Sequence, residues 1–257
     1  MHTPANLIAV RVTAAEQVTP LIKCFTLEAL DGQRLPGFSG GSHILVQMQS
    51  GQQCFTNAYS LMSAPNDTRQ YQIGVRREEN SRGGSAYLHE HVSPGSELLI
   101  APPNNLFALD PQARHHLLIA GGIGITPFLA QLHELHEIGA SFALHYAFRS
   151  PEHGAFQQEL ATSAYAAHCQ FYADSLGQRL DLDALLGNLP PDAHAYVCGP
   201  RPLIDAVIAK AEELGIDPAR VHWEQFGAAP ASGGAFTLVL GRSGRELDVP
   251  EGTSILQ

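Results

Sequence analysis

The feature that most constrains this chain is a glycine-rich turn near its middle, AGGIGITP at residues 120–127. It follows HHLLI at 115–119, a short apolar run typical of a buried parallel strand. It precedes FLAQLHELHEIG at 128–139, in which apolar residues recur at helical spacing. A strand, a glycine turn and a helix in this order bring backbone N–H groups to a helix N-terminus, where a phosphate group can bind. The turn alone has low specificity, because a plain tight turn can have the same composition.

The segments on either side of this turn have different periodicities. Residues 7–107 contain short strand-like runs separated by Gly, Pro, Asn and Asp, which predicts an antiparallel barrel or sandwich. One helix-like insert, GGSAYLHEHV at 83–92, interrupts these runs. From about residue 113 apolar strands alternate with helices, which predicts a doubly wound parallel sheet with helices on both faces. The predicted fold class is therefore an N-terminal antiparallel β-barrel followed by a C-terminal α/β domain.

The composition of the last third indicates where the domains end. We place the domains at residues 1–110, 111–228 and 229–257. AAPASGG at 228–234 is a small-residue stretch typical of a linker. The 23 residues after it predict a hairpin with GRSG as its turn, and they are too few to bury a core of their own. We therefore expect this tail to be the beginning of a further domain.

The charge balance and the lack of targeting segments restrict the class of protein. The formal net charge is −10 with 15 Lys and Arg and no basic run, which argues against a nucleic-acid or anionic-membrane partner. No apolar stretch approaches the roughly 18–20 residues of a membrane span. The N-terminus lacks the charged and apolar regions of a signal peptide. We therefore expect a cytoplasmic protein.

The cysteines and histidines form no recognisable metal-binding pattern. The four cysteines are widely spaced, so neither a disulfide framework nor a zinc or iron-sulfur site is expected. Among the 13 histidines, His133 and His136 lie three residues apart on a predicted helix and could share a face. No carboxylate or cysteine completes a ligand set there. We interpret the pair as part of a solvated helix face and expect no metal site.

Two other segments carry ligand-binding chemistry. YVCGP ends a predicted strand at Cys198 and turns at the same carboxyl edge of the parallel sheet as the glycine turn, although Cys198 could equally be a small buried filler. In the first half, NAYSL at 57–61 ends a strand with an aromatic ring and a hydroxyl. VRREENSRGGS at 75–85 offers glycines, a serine and a cation at a helix start. Two such cradles suggest two phosphate-bearing ligands that meet between domains.

In combination these segments resemble the ferredoxin-NADP reductase superfamily, and within it the phthalate dioxygenase reductase and vanillate demethylase reductase group. The matching stretches occur in family order and spacing over about residues 5–228: NAYSL, YQIGVRRE, SRGGSAYLHEHV, LLIAGGIGITPFLAQ, YVCGP and VHWEQFG. Each is unspecific alone, but the set is highly specific. The resemblance implies an FMN-binding barrel domain, an NAD-binding domain, and a monomeric, NADH-dependent reductase component of a Rieske-type oxygenase.

The resemblance also assigns roles to individual residues. Tyr59 would pack on the flavin ring, Ser60 would hydrogen-bond its N5 atom, and Phe226 would cover the flavin where the nicotinamide enters. Thr126 and Cys198 would lie beside the nicotinamide and complete the implied catalytic set. The implied cofactor-binding residues are Asn57, Ala58, Tyr59, Ser60, Val75, Arg76, Arg82, Gly83, Gly84 and Ser85 for FMN, with Gly121, Gly122, Gly124, Thr126, Cys198, Gly199, Pro200 and Phe226 for the nucleotide and its entry.

Two features depart from the family pattern. The family has Arg-x-Tyr-Ser where this chain has Asn57, so one charge-assisted contact with the flavin phosphate is lost, worth roughly 1.5–3 kcal/mol. Arg76 and Arg82 are expected to compensate. Family members of this type end in a 2Fe-2S ferredoxin domain, whose opening hairpin the tail resembles. The Cys-x4-Cys-x2-Cys loop that ligates the cluster is absent from these 257 residues, so we expect the cluster only in a longer form of the chain.

Two charged residues bear on the choice of nucleotide, and two alternative functions stand beside the implied one. Asp174 follows the predicted strand QFYAD and favours NADH, because an acid there suits a free 2′-hydroxyl, whereas Arg149 after LHYAF argues for NADPH. One alternative function is a stand-alone diaphorase or flavin reductase that passes electrons to small acceptors. Another is a flavin- or nucleotide-binding regulatory subunit, against which the retained hydride-site residues argue.

Overall fold

The computed structural model describes the chain at residues 7–50, 53–78, 83–227, 235–240 and 244–250. It consists of two units, Met1–Gln225 and Phe226–Gln257. The first unit contains an antiparallel sheet followed by a parallel sheet, in the order that the sequence predicts. Within the described residues, no helix has both the length and the apolar character that a bilayer crossing requires.

An antiparallel sheet forms the first half of the larger unit. Its strands in the described residues are Ile8–Thr19 (β1), Ile22–Ala29 (β2), Ser42–Ser50 (β3), Gln53–Ser60 (β4), Tyr71–Arg76 (β5), Glu97–Ile100 (β6) and Asn104–Asn105 (β7). Their order is β4-β3-β6-β1-β2-β5, and β7 pairs with β3. Past the end of β4, Leu61 bridges Ile73 of β5, and the Met62 N–H donates to Gln72 O at 2.9 Å. These contacts join the two outer strands, so the predicted barrel is confirmed.

Alternate residues of the strands fill the barrel interior. On β1, Val10 and Val12 are buried while Arg11 and Thr13 face outward, which is the period of two expected of a half-buried strand. The same core takes side chains from the other strands, among them Phe25, Leu27, Ile44, Val46, Ile73 and Ile100. The helix Gly84–His91 (α1) lies between β5 and β6, where the sequence predicts a helical insert.

A parallel sheet forms the second half. Its strands are His115–Gly121 (β8), Ser141–Phe148 (β9), Cys169–Ala173 (β10), Ala193–Cys198 (β11) and Val221–Glu224 (β12). The helices between and after them are Thr126–Glu137 (α2), Gln157–Thr162 (α3), Leu182–Gly187 (α4) and Arg201–Glu213 (α5). Phe128 of α2 belongs to the core on one face of the sheet, and Val207 of α5 to the core on the other. The predicted doubly wound sheet is confirmed.

The chain changes its direction of winding between β8 and β11. The strand order is β10-β9-β8-β11-β12, so the chain proceeds outward from β8 through β9 to β10 and then returns to the other side of β8. Such a switch point leaves a crevice at the carboxyl ends of the two central strands, where ligands bind in open α/β sheets. The glycine turn after β8 and the Cys198-Gly199-Pro200 turn after β11 both lie there.

Two glycines allow helix α2 to pack directly on the barrel. A Cβ at Gly40 would lie 2.7 Å from the Cα of Gln131, and one at Gly41 would lie 2.1 Å from Phe107 O. The Gln131 side chain is fully buried, and its Nε2 donates to Phe107 O at 2.7 Å. The core around α2 also contains two residues from the barrel, Ile22 and Met62. The two halves of the unit therefore share a core.

The second unit contains a two-stranded hairpin. Phe236–Val239 (β13) pairs antiparallel with Glu246–Val249 (β14), as the tail pattern predicts. Of the predicted GRSG turn, Gly244 is described and has a φ of 64°, and the other three residues lie outside the described part of the chain. The predicted linker at 228–234 also lies outside it. The domain boundaries at residues 110 and 228 stay predictions.

Candidate functional site

The glycine turn after β8 has the strand, turn and helix form that the sequence predicts, with one difference. Gly122–Ile125 forms a short 3-10 turn before α2 begins at Thr126. Thr126 is buried, and its Oγ1 donates to Ile123 O at 3.0 Å. Pro127 stands in the first turn of α2, where its missing N–H costs no hydrogen bond. The Thr126 hydroxyl thus ties the 3-10 turn to the start of the helix.

Steric contact explains two of the three glycines in this turn. A Cβ at Gly124 would lie 2.2 Å from Cys198 O, and one at Gly121 would lie 2.8 Å from Pro200 Cδ. The turn after β8 therefore packs directly against the turn after β11. Gly122 differs, because its φ is +54° and a Cβ there would meet nothing within 4 Å. Gly122 borders open space, and contact with a pyrophosphate stays a prediction for all three glycines.

A buried thiol and a half-buried carboxyl, one oxygen of which is buried, lie side by side at the ends of β11 and β12. Cys198 and Glu224 are register partners in these strands. Burial, with the charge of Glu224, raises the pKa of the Cys198 thiol well above its ordinary value. Burial also raises the pKa of Glu224 to about 7. Among the described residues Glu224 Oε2 has no hydrogen-bond partner. Cys198 is therefore a neutral thiol, and Glu224 is a carboxyl that can hold or release a proton near neutral pH.

Glu224 is the functional candidate that the sequence prediction missed. It lies within VHWEQFG, a stretch that carries the family resemblance, but the resemblance assigns a role there only to Phe226. Strand alternation is the signal that could have identified it, because Glu224 shares the inward face with His222 while Trp223 is exposed. A half-buried carboxyl at this edge of the sheet can accept a hydrogen bond from a ligand amide, or donate one when protonated.

Asn57, Tyr59 and Ser60 lie at the end of β4 as predicted. Asn57 and Tyr59 share one face, and Asn57 Nδ2 donates to Tyr59 Oη at 3.1 Å. Burial raises the pKa of Tyr59, which keeps the phenol neutral. Ser60 is buried, and among the described residues its Oγ has no hydrogen-bond partner. Ala58 is exposed. A buried hydroxyl without a partner is costly, so the Ser60 hydroxyl is available to bond to a ligand at the end of β4.

Helix α1 begins directly against the same face of β4. A Cβ at Gly83 would lie 2.5 Å from the ring of Phe55, and one at Gly84 would lie 2.4 Å from Asn57 Nδ2. Gly83 also has a φ of +120°, which side chains rarely allow. The structure therefore brings Asn57 to the predicted phosphate-binding glycines. The predicted cation of this cradle, Arg82, lies outside the described residues.

Three hydrogen bonds fix α1 on the barrel. His89 Nε2 donates to Val75 O at 2.8 Å, and Lys23 Nζ donates to His89 O at 2.6 Å. Lys23 and Val75 face each other across β2 and β5, so these contacts close a ring through two strands and the helix. At the helix start, the buried Ser85 Oγ accepts the Glu78 N–H at 3.3 Å. The predicted residues Val75 and Ser85 are thus held by one helix, and His89 is a positioning residue that the sequence prediction missed.

The β4–β5 surface and the switch-point turn meet at Gly74. A Cβ at Gly74 would lie 2.9 Å from Thr126 Cγ2 and 3.1 Å from Met62 Sδ. Strand β5 therefore runs against the first residue of α2. Residues predicted to hold a flavin and residues predicted to hold a nucleotide lie on adjoining elements. Arg76, two residues further along, is exposed and forms an ion pair with Glu78 at 3.1 Å.

The remaining predicted positions lie around this junction. Pro200 immediately precedes α5, and a Cβ at Gly199 would lie 3.0 Å from the Cα of Gly121, so Gly199 also serves the contact between the turns. Arg149 and Asp174 directly follow β9 and β10, and the exposed Asp174 pairs with Arg179 at 3.5 Å. Phe226 is the first residue of the second unit, and its predicted position over a flavin stays a prediction.

Comparisons with known proteins agree with this architecture. Residues 97–221 match the family described as dimethylamine monooxygenase subunit DmmA-like, N-terminal domain. The chain is 51% identical over 252 residues to the carnitine monooxygenase reductase subunit of Escherichia coli (strain K12), covering 98% of this chain and 78% of that protein. It is 39% identical over 236 residues to the vanillate O-demethylase oxidoreductase of Pseudomonas putida, covering 90% and 73%.

A solved structure shares the arrangement of both sheets. Phthalate dioxygenase reductase matches with a TM-score of 0.81 and 32% identity, covering 98% of this chain and 78% of that one. That protein is described as a modular structure for electron transfer from pyridine nucleotides to 2Fe-2S. The match extends over the barrel, the parallel sheet and the junction between them.

Proposed function

Because the chain belongs to the family of reductase components of oxygenase systems, which are electron-transferring flavoprotein oxidoreductases, we propose that it is the NADH-dependent, FMN-containing reductase of a Rieske-type oxygenase. The observation that carries the proposal is the junction of Gly74 with Thr126, where the β4–β5 surface adjoins the switch-point turn. Hydride transfer needs its two reacting groups about 3–3.5 Å apart. The flavin and the nicotinamide can approach this closely only if their binding surfaces adjoin.

The surface formed by β4 and the start of α1 fits a flavin mononucleotide. The unpartnered Ser60 Oγ is free to donate to a flavin ring nitrogen. Tyr59 offers an aromatic face beside it. The start of α1 at Gly84 offers N–H groups and the positive end of a helix dipole to a phosphate. The SRGGS form of this cradle resembles that of FMN-using members of the family, and we expect Arg82 to supply its cation.

Asn57 sets how tightly the phosphate is held. Its amide is already engaged with Tyr59 Oη and borders Gly84, so it can offer the phosphate a neutral hydrogen bond at most. A charge-assisted bond is about twice as strong as a neutral one. We expect Asn57→Arg to tighten FMN binding by roughly tenfold, the equivalent of about 1.4 kcal/mol.

The switch-point crevice fits a nicotinamide nucleotide. Gly122 borders open space at the start of the 3-10 turn, so a pyrophosphate can approach its backbone. Thr126 lies on the side of the crevice that adjoins β5, and the Glu224 carboxyl can bond to a carboxamide. The exposed Asp174 at the end of β10 suits the 2′-hydroxyl of NADH and repels the 2′-phosphate of NADPH.

When bound, a flavin supplies chemistry that side chains lack, because it accepts a hydride from a nicotinamide and releases the electrons singly. The residues of this chain bind, orient and shield the reactants. Ser60 and Tyr59 orient one ring, and Thr126 fixes the helix start beside it. Cys198, buried at the end of β11, is a neutral thiol, which is a poor nucleophile. Glu224 can hold or release a proton near neutral pH beside the nucleotide crevice.

We propose that the electrons reach the oxygenase through a 2Fe-2S domain in a longer form of the chain, and that the reductase acts as a monomer. The support for this electron route is the description of phthalate dioxygenase reductase and the tail hairpin, whose sequence resembles the opening of such a domain. The monomer rests on the family resemblance. The first partner to test is a carnitine monooxygenase, because the relative at 51% identity is the reductase subunit of one.

Flavin uptake and anaerobic reduction test the proposal. The purified chain is incubated with FMN or FAD, desalted, and mixed with NADH or NADPH while the absorption spectrum is followed. We expect near-stoichiometric FMN and a kcat/KM for NADH at least roughly tenfold above that for NADPH. If the chain takes up neither flavin, the proposal that it is an enzyme is wrong and a regulatory subunit is favoured. Preferential uptake of FAD would contradict the assignment of FMN as the cofactor. Equal kcat/KM values for NADH and NADPH would contradict the assignment of NADH as the nucleotide.

A further inference from the structure

Three potential metal ligands converge at the amino-terminal ends of β11 and β12, on the opposite edge of the sheet from the nucleotide crevice. His194 Nδ1 lies 2.9 Å from His222 Nε2 and 3.7 Å from Asp110 Oδ2. The ligand atoms of all three residues lie within 4.8 Å of one another. Asp110 precedes β8 in the segment that connects the barrel to the parallel sheet, so three separate parts of the chain meet here.

Neighbouring groups hold these side chains in place. The Tyr196 ring stacks on the His222 ring, with centroids 4.5 Å apart and an interplanar angle of 14°. The Asp110 N–H donates to Tyr196 Oη at 2.8 Å, and Asp110 Oδ1 accepts the Gln112 N–H at 2.8 Å. The second oxygen, Oδ2, is the one directed at His194. A supporting shell of this kind is what orients ligands in metal sites.

We propose that Asp110, His194 and His222 bind a divalent transition-metal ion, with Zn²⁺ as the ion of choice. Two imidazole nitrogens and one carboxylate oxygen form a set that suits Zn²⁺ and leaves a fourth tetrahedral position for water. The His194 side chain is 13% exposed and that of Asp110 is 33% exposed, so water and an ion can reach them. Cations of hard oxygen preference, such as Mg²⁺ and Ca²⁺, do not suit two imidazoles.

The metal-free geometry defines what binding must change. The His194 and His222 rings lie within 17° of coplanar, with centroids 5.2 Å apart, so their nitrogens meet nearly head-on in one N–H···N hydrogen bond. An ion at the 2.0–2.1 Å typical of Zn–N bonds replaces that hydrogen and requires both rings to tilt toward Asp110. The donor ring then carries its hydrogen on the other ring nitrogen.

The site would act on the fold rather than on hydride transfer. A bound ion would link the connecting segment at Asp110 to β11 and to the edge strand β12. Such a link stabilises the native state by mass action, because the unfolded chain lacks the preformed ligand set. The expectation of no metal site rests on histidines that are close together in the sequence, and Asp110, His194 and His222 are far apart in it.

Zinc titration of the chelator-treated full chain tests the site, and the titration needs no flavin. We expect one Zn²⁺ per chain by calorimetry, a rise in Tm with Zn²⁺, and visible bands of four-coordinate character with Co²⁺. His194→Ala and Asp110→Asn should each weaken Zn²⁺ binding by more than the roughly 10–100-fold that loss of a supporting residue costs. The matched control His136→Ala, an exposed histidine on α2, should bind as the wild type does.

Two further variants keep the test decisive. His222→Gln retains a hydrogen-bonding side chain, so its fold should survive while its zinc affinity falls. Cys54→Ser removes the exposed thiol that could bind zinc elsewhere, and it should leave the affinity unchanged. A wild-type Kd weaker than about 0.1 mM, six-coordinate Co²⁺ spectra, or equal affinities in the His194 and His136 variants would overturn the proposal.

Discussion

A Cβ on Gly124 would lie 2.2 Å from the carbonyl oxygen of Cys198. The turns after β8 and β11 approach this closely only because residue 124 has no side chain. The atom in the way belongs to the backbone, so a rotamer change cannot relieve the overlap. The glycine pattern that suggests a phosphate-binding turn is therefore first a condition for the crevice to form.

Substitution of Gly124 should open that crevice. We expect Gly124→Ala to lower the free energy of unfolding by about 1–3 kcal/mol, because the two turns must separate, and to weaken NADH binding. Gly187→Ala is the matched control, since a Cβ there meets nothing within 4 Å and its φ is ordinary. Thermal unfolding and NADH titration measure both effects. Equal Tm values for the two variants would show that the turns are not in contact.

Ser60 should affect flavin binding without supporting the flavin-free fold. Its buried Oγ has no partner among the described residues, so Ser60→Ala should leave the flavin-free Tm unchanged or slightly higher. The same substitution should weaken FMN binding and slow reduction by NADH. Ser63→Ala is the control, because Ser63 is equally buried and unpartnered but lies beyond β4. If both variants lose FMN alike, the predicted bond from Ser60 is wrong.

Glu224 should make the chain less stable as the pH rises. Its pKa of about 7 in the folded chain exceeds the ordinary value of 4.5, so its stabilising contribution is complete below pH 4.5 and is lost as the pH rises through 7. Glu224→Gln stays neutral throughout. In urea unfolding of the nucleotide-free chain, the stability of the variant relative to the wild type should rise by about 2–3 kcal/mol between pH 5 and pH 8.

The control for this pH dependence is Glu28→Gln, which neutralises an exposed carboxyl on β2. Its difference from the wild type should stay within about 0.5 kcal/mol at both pH values. A Glu224→Gln difference that does not change with pH would mean that Glu224 is ionised in the folded chain at pH 5 as well.

His89 should control the position of α1. His89→Ala removes one of the three hydrogen bonds that hold α1 on the barrel, so we expect it to speed amide exchange along α1 and to weaken FMN binding several-fold. His89→Gln can still donate and should recover part of the affinity. His91→Ala, on the exposed side of the same helix, serves as the comparison. Unchanged exchange in His89→Ala would assign the helix position to Ser85 instead.

Local patterns in the sequence were enough to predict both halves of the fold. HHLLI followed by AGGIGITP specifies a buried strand, a turn and a helix within some twenty residues, and the structure contains them as β8, the 3-10 turn and α2. The insert at 83–92 and the terminal hairpin were predictable for the same reason. The end of β4 at Ser60 followed from its strand pattern, although its ligand role rests on the family resemblance.

Contacts between distant segments could not be predicted in this way. These contacts depend on how separate helices and strands pack in the folded chain. Examples are the bond from His89 to Val75, the register that sets Glu224 beside Cys198, and the packing of Gly41 on Phe107. No periodicity within one segment encodes them. The steric role of Gly124 was hidden for the same reason, since the atom that excludes a side chain belongs to another strand.

The packing of Gln131 of α2 against Gly40 and Gly41 determines how this reductase could be recombined with its relatives. A chimera joined at the middle of the chain would press a foreign helix against a glycine pair shaped for Gln131. A larger side chain on either surface would separate the new helix from the barrel and would change the angle between the two binding surfaces. The piece that has to be transplanted is therefore the helix together with the glycines that receive it, although the two are far apart along the chain.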